Sequence, residues 1–285
     1  MMINPVLRLE LKTKLRTWKA PVLLLVYLTI LAGFGSLILL ATLYRSYDNS
    51  FDPQDVLTVY ALLAGCQMGL IILLIPALTA GTISGERERQ TLDLLLITRV
   101  SSFSIIMGKL IASISQIMLL IFASIPIFSV IFIFGGVSLI NILLLFLYYA
   151  VISIMLGSIG IFCSTYFKKT TVATVVSYLF ILIFSIGTLV VYFIMQEYSY
   201  MTGQNGLTYL QSIILVGGNP FLGFISIIQN QVGADIINYL LNVYNNPNNV
   251  KIELWQFNLV FNSVVSIIMI LLSVIRIRPL AGKNR

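Results

Sequence analysis

Histidine is absent from this 285-residue chain, cysteine occurs twice, and only 9% of the residues are charged. The first absence removes the commonest metal ligand and the side chain that most readily shuttles protons near neutral pH. Cys66 and Cys163 both fall inside long apolar runs, where a thiol behaves as a small apolar group and offers no disulfide framework. No Gly-x-x-x-x-Gly-Lys-Ser/Thr phosphate loop occurs, and the polar segments are too short to fold a nucleotide-binding domain. Ser/His/Asp, Cys/His and metal-ligand arrangements are missing as well. The chain is therefore not expected to be an enzyme: no catalytic residue and no metal ligand can be named.

What is present is apolar. The chain is 59% hydrophobic and its mean hydropathy is +1.00, beyond what a water-soluble domain tolerates. A bilayer core about 30 Å thick requires roughly 20 apolar residues of helix. Six runs satisfy this, at 21–43, 57–83, 105–133, 139–166, 172–195 and 257–275. They are continuous rather than alternating in polarity, which excludes a barrel. The expected fold is all-α: a single polytopic transmembrane domain over residues 1–285 with six transmembrane helices.

Orientation follows from the cations. Arg8, Lys12, Lys14, Arg16, Lys19, Arg87, Arg89, Arg99, Lys109, Lys168, Lys169, Arg276, Arg278, Lys283 and Arg285 fall on the side of the termini, 15 of the 17 basic residues; Arg45 and Lys251 fall opposite. With six spans both termini share a compartment, and the excess of Lys and Arg makes it the cytoplasm. A multi-pass protein of the cytoplasmic (plasma) membrane is expected, and the net charge of +7 is a topology signal, so no nucleic acid is expected as partner. The charged region running to Lys19, followed by a full-length apolar run, is no cleavable signal peptide.

Residues 1–20 read as an interfacial helix: Asn4 can cap it, Pro5 suits its first position, and Leu7, Leu11, Leu15 and Trp18 form an apolar stripe beside Arg8, Lys12, Arg16 and Lys19. Such a helix places its apolar face in the headgroup boundary and its cations near anionic lipid, so membrane lipids are expected partners. The outer loop 44–56 carries Asp48, Asp52 and Asp55 without calcium-loop spacing and reads as solvated. Residues 196–256 form a larger outer loop. Within it, Asn219-Pro220 starts a helix carried by Phe221, Ile225, Ile228, Val232, Ile236 and Leu240; whether it lies on the surface or re-enters the bilayer is open, and a re-entrant version has to pack against the spans. Trp255 marks the outer interface.

Inside the spans, Pro76 and Pro126 are expected kinks. Gln67 and Gln116 sit near mid-membrane, where they either face a substrate path or bond to a neighbouring helix, and Asn141, Asn258 and Asn262 pose the same choice. No span has an ionisable residue near its centre, so an ion-coupled carrier lacks its coupling groups. Energy has to come from elsewhere.

The one densely charged block between spans is Gly85-Glu86-Arg87-Glu88-Arg89-Gln90-Thr91-Leu92-Asp93-Leu94-Leu95-Leu96. It lies in the loop 84–104 between spans two and three, in water beside the bilayer. Glu86 and Glu88 fall in a first helical turn, where the helix dipole favours anions, and Leu92, Leu95 and Leu96 fall on one side at helical spacing. The expectation is one short docking helix whose apolar ridge fills a groove on a soluble partner while its charges set register.

This block resembles the signature of the membrane permeases of type-2 ATP-binding-cassette (ABC) exporters, roughly Gly-x-Ile-x-x-Glu-Arg-Glu-x-Gly-Thr-Leu-Glu-Leu-Leu-Leu, followed by a Thr-x-Pro-Val-Ser-like turn and a Gly-Lys opening the next span. The matching run extends from Gly81-Thr82-Ile83 through Leu96, then Thr98-Arg99-Val100-Ser101 and Gly108-Lys109, with Gln90 in the glycine position and Arg99 in the proline position. The surface helix, the six spans and the element between spans five and six are also similar to that family. The resemblance implies a bacterial permease subunit that pairs with a second permease chain, identical or different. It further implies that Glu86, Arg87, Glu88, Arg89, Thr91, Leu92, Leu95 and Leu96 couple to a cytoplasmic ATPase subunit, which holds the ATP and Mg; no cofactor is expected in this chain. Family members export lipids, polysaccharides, drugs, peptides or ions, and the uncharged interior suggests an amphipathic or hydrophobic substrate. A reading of another class stays open: a non-transporting scaffold or sensor holding a soluble partner through the same helix.

Overall fold

The computed structural model describes residues 5–45, 53–92, 101–133, 137–203, 206–233, 237 and 253–277. Among these residues the chain is all-helical, and six helical stretches are long and apolar enough to cross a membrane: Lys19–Thr42, Gln54–Glu88, Ser102–Phe132, Leu139–Tyr166, Thr170–Met201 and Leu254–Ile277. In chain order the helices are α1 (Pro5–Arg16), α2 (Lys19–Arg45), α3 (Pro53–Thr79), α4 (Ser84–Glu88), α5 (Ser102–Ala123), α6 (Ile125–Ile133), α7 (Leu139–Tyr166), α8 (Thr170–Leu182), α9 (Thr188–Met201), α10 (Tyr209–Val216), α11 (Pro220–Val232) and α12 (Leu254–Ile277), with a π-helical turn at Ile183–Gly187 between α8 and α9. The bundle has a basic end, where α1, α4 and the starts of α2, α5 and α8 lie, and an opposite end holding α10 and α11.

Helix α7 is the central strut, packed against α3, α5, α8, α11 and α12. Its small residues allow this. A Cβ at Gly160 would fall 2.0 Å from Thr79 Oγ1, so only glycine lets α3 approach here. Apolar packing in a membrane is driven by contact rather than by escape from water, which favours such close crossings. At the opposite end the core is aromatic: Tyr60, Phe128, Phe146, Tyr149 and Phe224 form a chain of ring contacts with centroids 5.5–6.4 Å apart, each adding about 0.5–1.5 kcal/mol beyond buried area. They join α3, α6, α7 and α11.

The two prolines behave differently. Pro126 lies just beyond the break between α5 and α6, where Ser124 interrupts the third span and donates from its Oγ to Ile121 O at 2.7 Å. Helix α3 runs on through Pro76, which forgoes the bond to the carbonyl four residues back, and ends one turn later at Thr79. The π turn has no strong sequence signal. It frees the carbonyl of Ser185, which accepts from Asn219 Nδ2 at 2.6 Å.

Helices α10 and α11 form a hairpin whose turn packs between α7 and α12. Pro220, at the start of α11, lies beside Tyr148, nine residues along α7 from Leu139, about 13 Å along the helix at helical rise. At its other end, Gln231 donates to the carbonyl of Asn141 at 2.9 Å and accepts from Tyr60 at 2.6 Å. Irregular backbone packed inside the bundle has to be satisfied by protein. Asn258 Nδ2 donates to the carbonyls of Gly217 and Asn219 at 2.7 and 2.9 Å, and Tyr148 donates to that of Pro220 at 2.7 Å. Asn262 in turn donates to Asn258 Oδ1 at 2.8 Å. A Cβ at Gly223 would fall 2.4 Å from Asn258 Cγ, so glycine is what admits the clamp. Helix α11 does not reach Leu240. It stops at Val232 because Gly233 adopts a left-handed φ of 75°; Ile236 and Leu240, like Asp48 and Asp52, lie outside the described residues.

Candidate docking site

The basic end is organised around α4. The chain leaves α3 at Thr79 and turns through Ala80–Ile83, and the backbone N–H groups of Ile83 and Ser84 both donate to Ser164 Oγ at 2.9 Å. Ser164 belongs to α7, so the central strut supplies the acceptor that the first turn of α4 lacks. The helix ends after one and a half turns. Thr91 N donates to the carbonyl of Glu86 at 2.9 Å and Gln90 N to that of Arg87 at 3.1 Å, the paired bonds of a Schellman motif, with Gln90 left-handed at φ 58°. A residue with a Cβ is strained there. The single rod expected over residues 86–96 is therefore interrupted: α4 stops at Glu88, the backbone reverses at Gln90, and Leu92 opens a new direction. Leu94, Leu95 and Leu96 lie outside the described residues.

Charged side chains lock α4 in place. Lys109 of α5 is buried, 1% exposed, and its Nζ lies 2.6 Å from Glu86 and 2.7 Å from Glu10. One ammonium thus bridges α4 and α1. Beside it, Lys14 Nζ donates to Ser113 Oγ at 2.6 Å. Burial pushes the Lys14 ammonium below the ordinary lysine range, the Glu10 carboxylate draws it back up, and the Lys109 charge lowers it. Glu88 accepts from the backbone N–H of Thr170 at 2.8 Å and from its hydroxyl at 3.1 Å, placing a carboxylate at the N-terminus of α8, where the helix dipole favours it. Arg87 donates to the carbonyl of Thr165 at 3.3 Å, near the end of α7.

Leu92 turns inward rather than forming part of an outward ridge. It is buried among Ile83, Ile106, Leu110, Ile161, Val274 and Ile277, because the reversal at Gln90 directs the chain back onto the bundle. What faces solvent is the tip: Glu88, Arg89, Gln90 and Thr91 are exposed. The arrangement makes and breaks no covalent bond. It is a small projecting tip whose base is tied to α1, α5, α7 and α8, so a displacement of the tip loads four helices.

A family model for ABC-2 family transporter proteins matches residues 5–276. The chain belongs to the ABC-2 transporter family. Membership makes it a multi-pass membrane component of a transporter, and permeases of this family generally work as membrane dimers with an ATP-binding-cassette partner. A comparison with curated proteins gives no significant match.

The remaining sequence candidates of this ABC-2 family chain are dispersed. Arg8, Lys12, Arg16 and Lys19 are exposed and Trp18 is 81% exposed, while the opposite face of α1 carries Glu10 and Lys14 against α5. Trp255 is half-buried and donates to Glu253, which also accepts from Asn230. Gln67 is fully buried at the α5–α6 break, where its Oε1 accepts from Ser124 at 3.3 Å while Nε2 has no partner. Gln116 is also buried. Asn258 bonds to the turn between α10 and α11, whereas Asn262 bonds to Asn258 within α12. The sequence reading missed the Glu10–Lys109–Glu86 bridge. Its one available signal was Glu10, a lone acid among the cations of α1, spaced four residues from Lys14.

Proposed function

We propose that the chain is the permease subunit of an ATP-driven exporter, with the basic end in the cytoplasm. A separate ATPase subunit, holding ATP and Mg, docks on the tip formed by Glu88, Arg89, Gln90 and Thr91, and a second permease chain completes the path. The observation that carries this reading is the wiring of α4: an exposed tip on a short helix that is bonded to α5, α7 and α8 and, through Lys109, to α1. Work done on the tip passes to the third span through Glu86–Lys109, to the fourth through Ser164 and to the fifth through Glu88–Thr170. The substrate is amphipathic or hydrophobic, a peptide or a lipid-like molecule, in keeping with spans that carry no ionisable group near their centres.

The test is co-expression with the cognate ATPase, purification of the complex and reconstitution in liposomes. Arg89→Glu reverses the charge of an exposed tip residue whose side chain makes no hydrogen bond or ion pair among the described residues, so folding is retained while complex yield and transport-linked hydrolysis fall at least several-fold. Full assembly and unchanged hydrolysis in that variant refute tip docking. A complex that assembles normally but moves no compound across the membrane favours the scaffold or sensor reading.

A further inference from the structure

The lipid-facing surface is not uniform. Between α2 and α3 runs a groove of about 470 Å³ lined by Lys19, Val22, Val26, Tyr27, Ile30, Leu70, Leu73 and Leu74, with Leu23. Its only charged wall residue, Lys19, stands at the basic end. From Lys19 to Ile30 the helical rise amounts to about 16 Å, close to half of a hydrocarbon core about 30 Å thick. The groove is shut beyond this point because α2 and α3 close on each other: a Cβ at Gly35 would stand 3.0 Å from Leu63 Cδ1. On the α3 side, Leu70, Leu73 and Leu74 occupy the last turns before Thr79, so both walls belong to the same leaflet.

We propose that this groove is a binding site for one anionic phospholipid, whose acyl chain fills it and whose phosphate pairs with Lys19. Length and charge both select this occupant. A transmembrane helix from another chain would need a furrow through both leaflets, and this one ends at Gly35. An acyl chain needs one leaflet, an apolar wall and a polar head at the interface, which is what Val22, Val26, Ile30 and Leu73 below Lys19 provide. The exposed cations Lys12 and Arg16 on α1 and the exposed indole of Trp18 precede Lys19 by seven, three and one residues, and Trp and basic residues favour the headgroup level. A second groove of about 530 Å³, between α5 and α7, is lined by Ile111, Ile114, Ser115, Met118, Leu119 and Phe122, with Ile154. It has no cation and therefore no means to select a headgroup, which makes it an internal control. The proposal does not depend on the transport reading.

The experiment is native mass spectrometry of the purified full chain, released from micelles containing equal amounts of phosphatidylglycerol and phosphatidylcholine. Wild type retains one phosphatidylglycerol in preference to phosphatidylcholine. Lys19→Gln lowers that preference roughly five-fold, the effect of one interfacial cation near an anionic surface, without lowering phosphatidylcholine retention. Val26→Trp, at a position 49% exposed, fills the groove and removes one retained lipid of either type. Leu119→Trp in the second groove leaves the preference for phosphatidylglycerol unchanged. The proposal is overturned if Lys19→Gln keeps the wild-type preference, or if Val26→Trp keeps the full lipid complement. All three substitutions are at exposed positions, and unchanged melting profiles confirm that folding is intact.

Discussion

Replacing Lys109 with methionine tests whether α4 is held by charge or only by packing. The methionine fills most of the lysine volume, so the change is chiefly the loss of one buried ammonium. The carboxylate oxygens lie 2.7 and 2.6 Å from that nitrogen, so those of Glu10 and Glu86 are no further apart than the sum of the two, about 5.3 Å, with no charge between them once the ammonium is gone. Their repulsion at an effective dielectric of about 20 is about 3 kcal/mol. The two acidic side chains are 19% and 23% exposed, so water screens part of this, and the expected loss is about 2–3 kcal/mol, at the low edge of the range for breaking a buried pair. Glu10→Gln or Glu86→Gln alone is milder, about 1 kcal/mol, because the remaining carboxylate keeps Lys109 paired. The triple variant Lys109→Met, Glu10→Gln, Glu86→Gln recovers most of the loss, since it removes the charges together. Reversible unfolding in mixed micelles of increasing denaturing detergent reads all four variants. The electrostatic account is refuted if Lys109→Met unfolds with the wild type, or if the triple variant is no more stable than Lys109→Met. In the reconstituted complex, Lys109→Met is also expected to keep ATPase binding and lose coupling, because the exposed tip is unchanged while its link to the third span is gone.

Three further outcomes follow from the same geometry. Gln90→Gly, at the left-handed cap of α4, relieves strain and leaves stability equal or up to about 1 kcal/mol higher, whereas Gln90→Val lowers it by about 1–2 kcal/mol in the same detergent titration. Asn258→Leu strips the clamp from two buried carbonyls and costs about 2–4 kcal/mol; a cysteine introduced at the buried Ser226 on α11 then becomes reactive to a water-soluble maleimide, and an unchanged labelling rate would contradict the clamp. Gly160→Ala drives a methyl into Thr79 and destabilises by about 1–3 kcal/mol; Thr79→Ala in the same chain removes the hydroxyl 2.0 Å away but keeps a Cβ 2.9 Å away, so it restores only part of the loss in a thermal melt.

Much of the architecture was legible because hydrophobic length is a one-dimensional property. A run such as Leu139–Tyr166 declares a span whatever it packs against, and Asn219-Pro220 marks a helix start through the backbone chemistry of those two residues alone. The charged block between spans two and three was equally visible, since charges joined to spans on both sides have to lie in water. Its shape was less so. Helical spacing of Leu92, Leu95 and Leu96 suggested one rod with an outward ridge, yet the left-handed turn at Gln90 sends Leu92 back into the bundle. The substitution at the glycine position of the family pattern was the only local hint of that turn. Helix α11 was overextended for a related reason: its apolar spacing continues past Gly233, but periodicity does not register a backbone reversal.

By itself, then, the sequence determined that this protein crosses a membrane six times and exposes a charged connection between the second and third crossings, because bilayer thickness and the hydration of charge act on each segment separately. Only the tertiary structure decided that Lys109 is shared by Glu10 and Glu86, that Ser164 caps α4, and that Asn258 holds the turn of a hairpin at the opposite end of the bundle. Those pairings join residues from 23 to 99 positions apart, and a hydrogen bond depends on distance in space, which no local pattern of residues encodes.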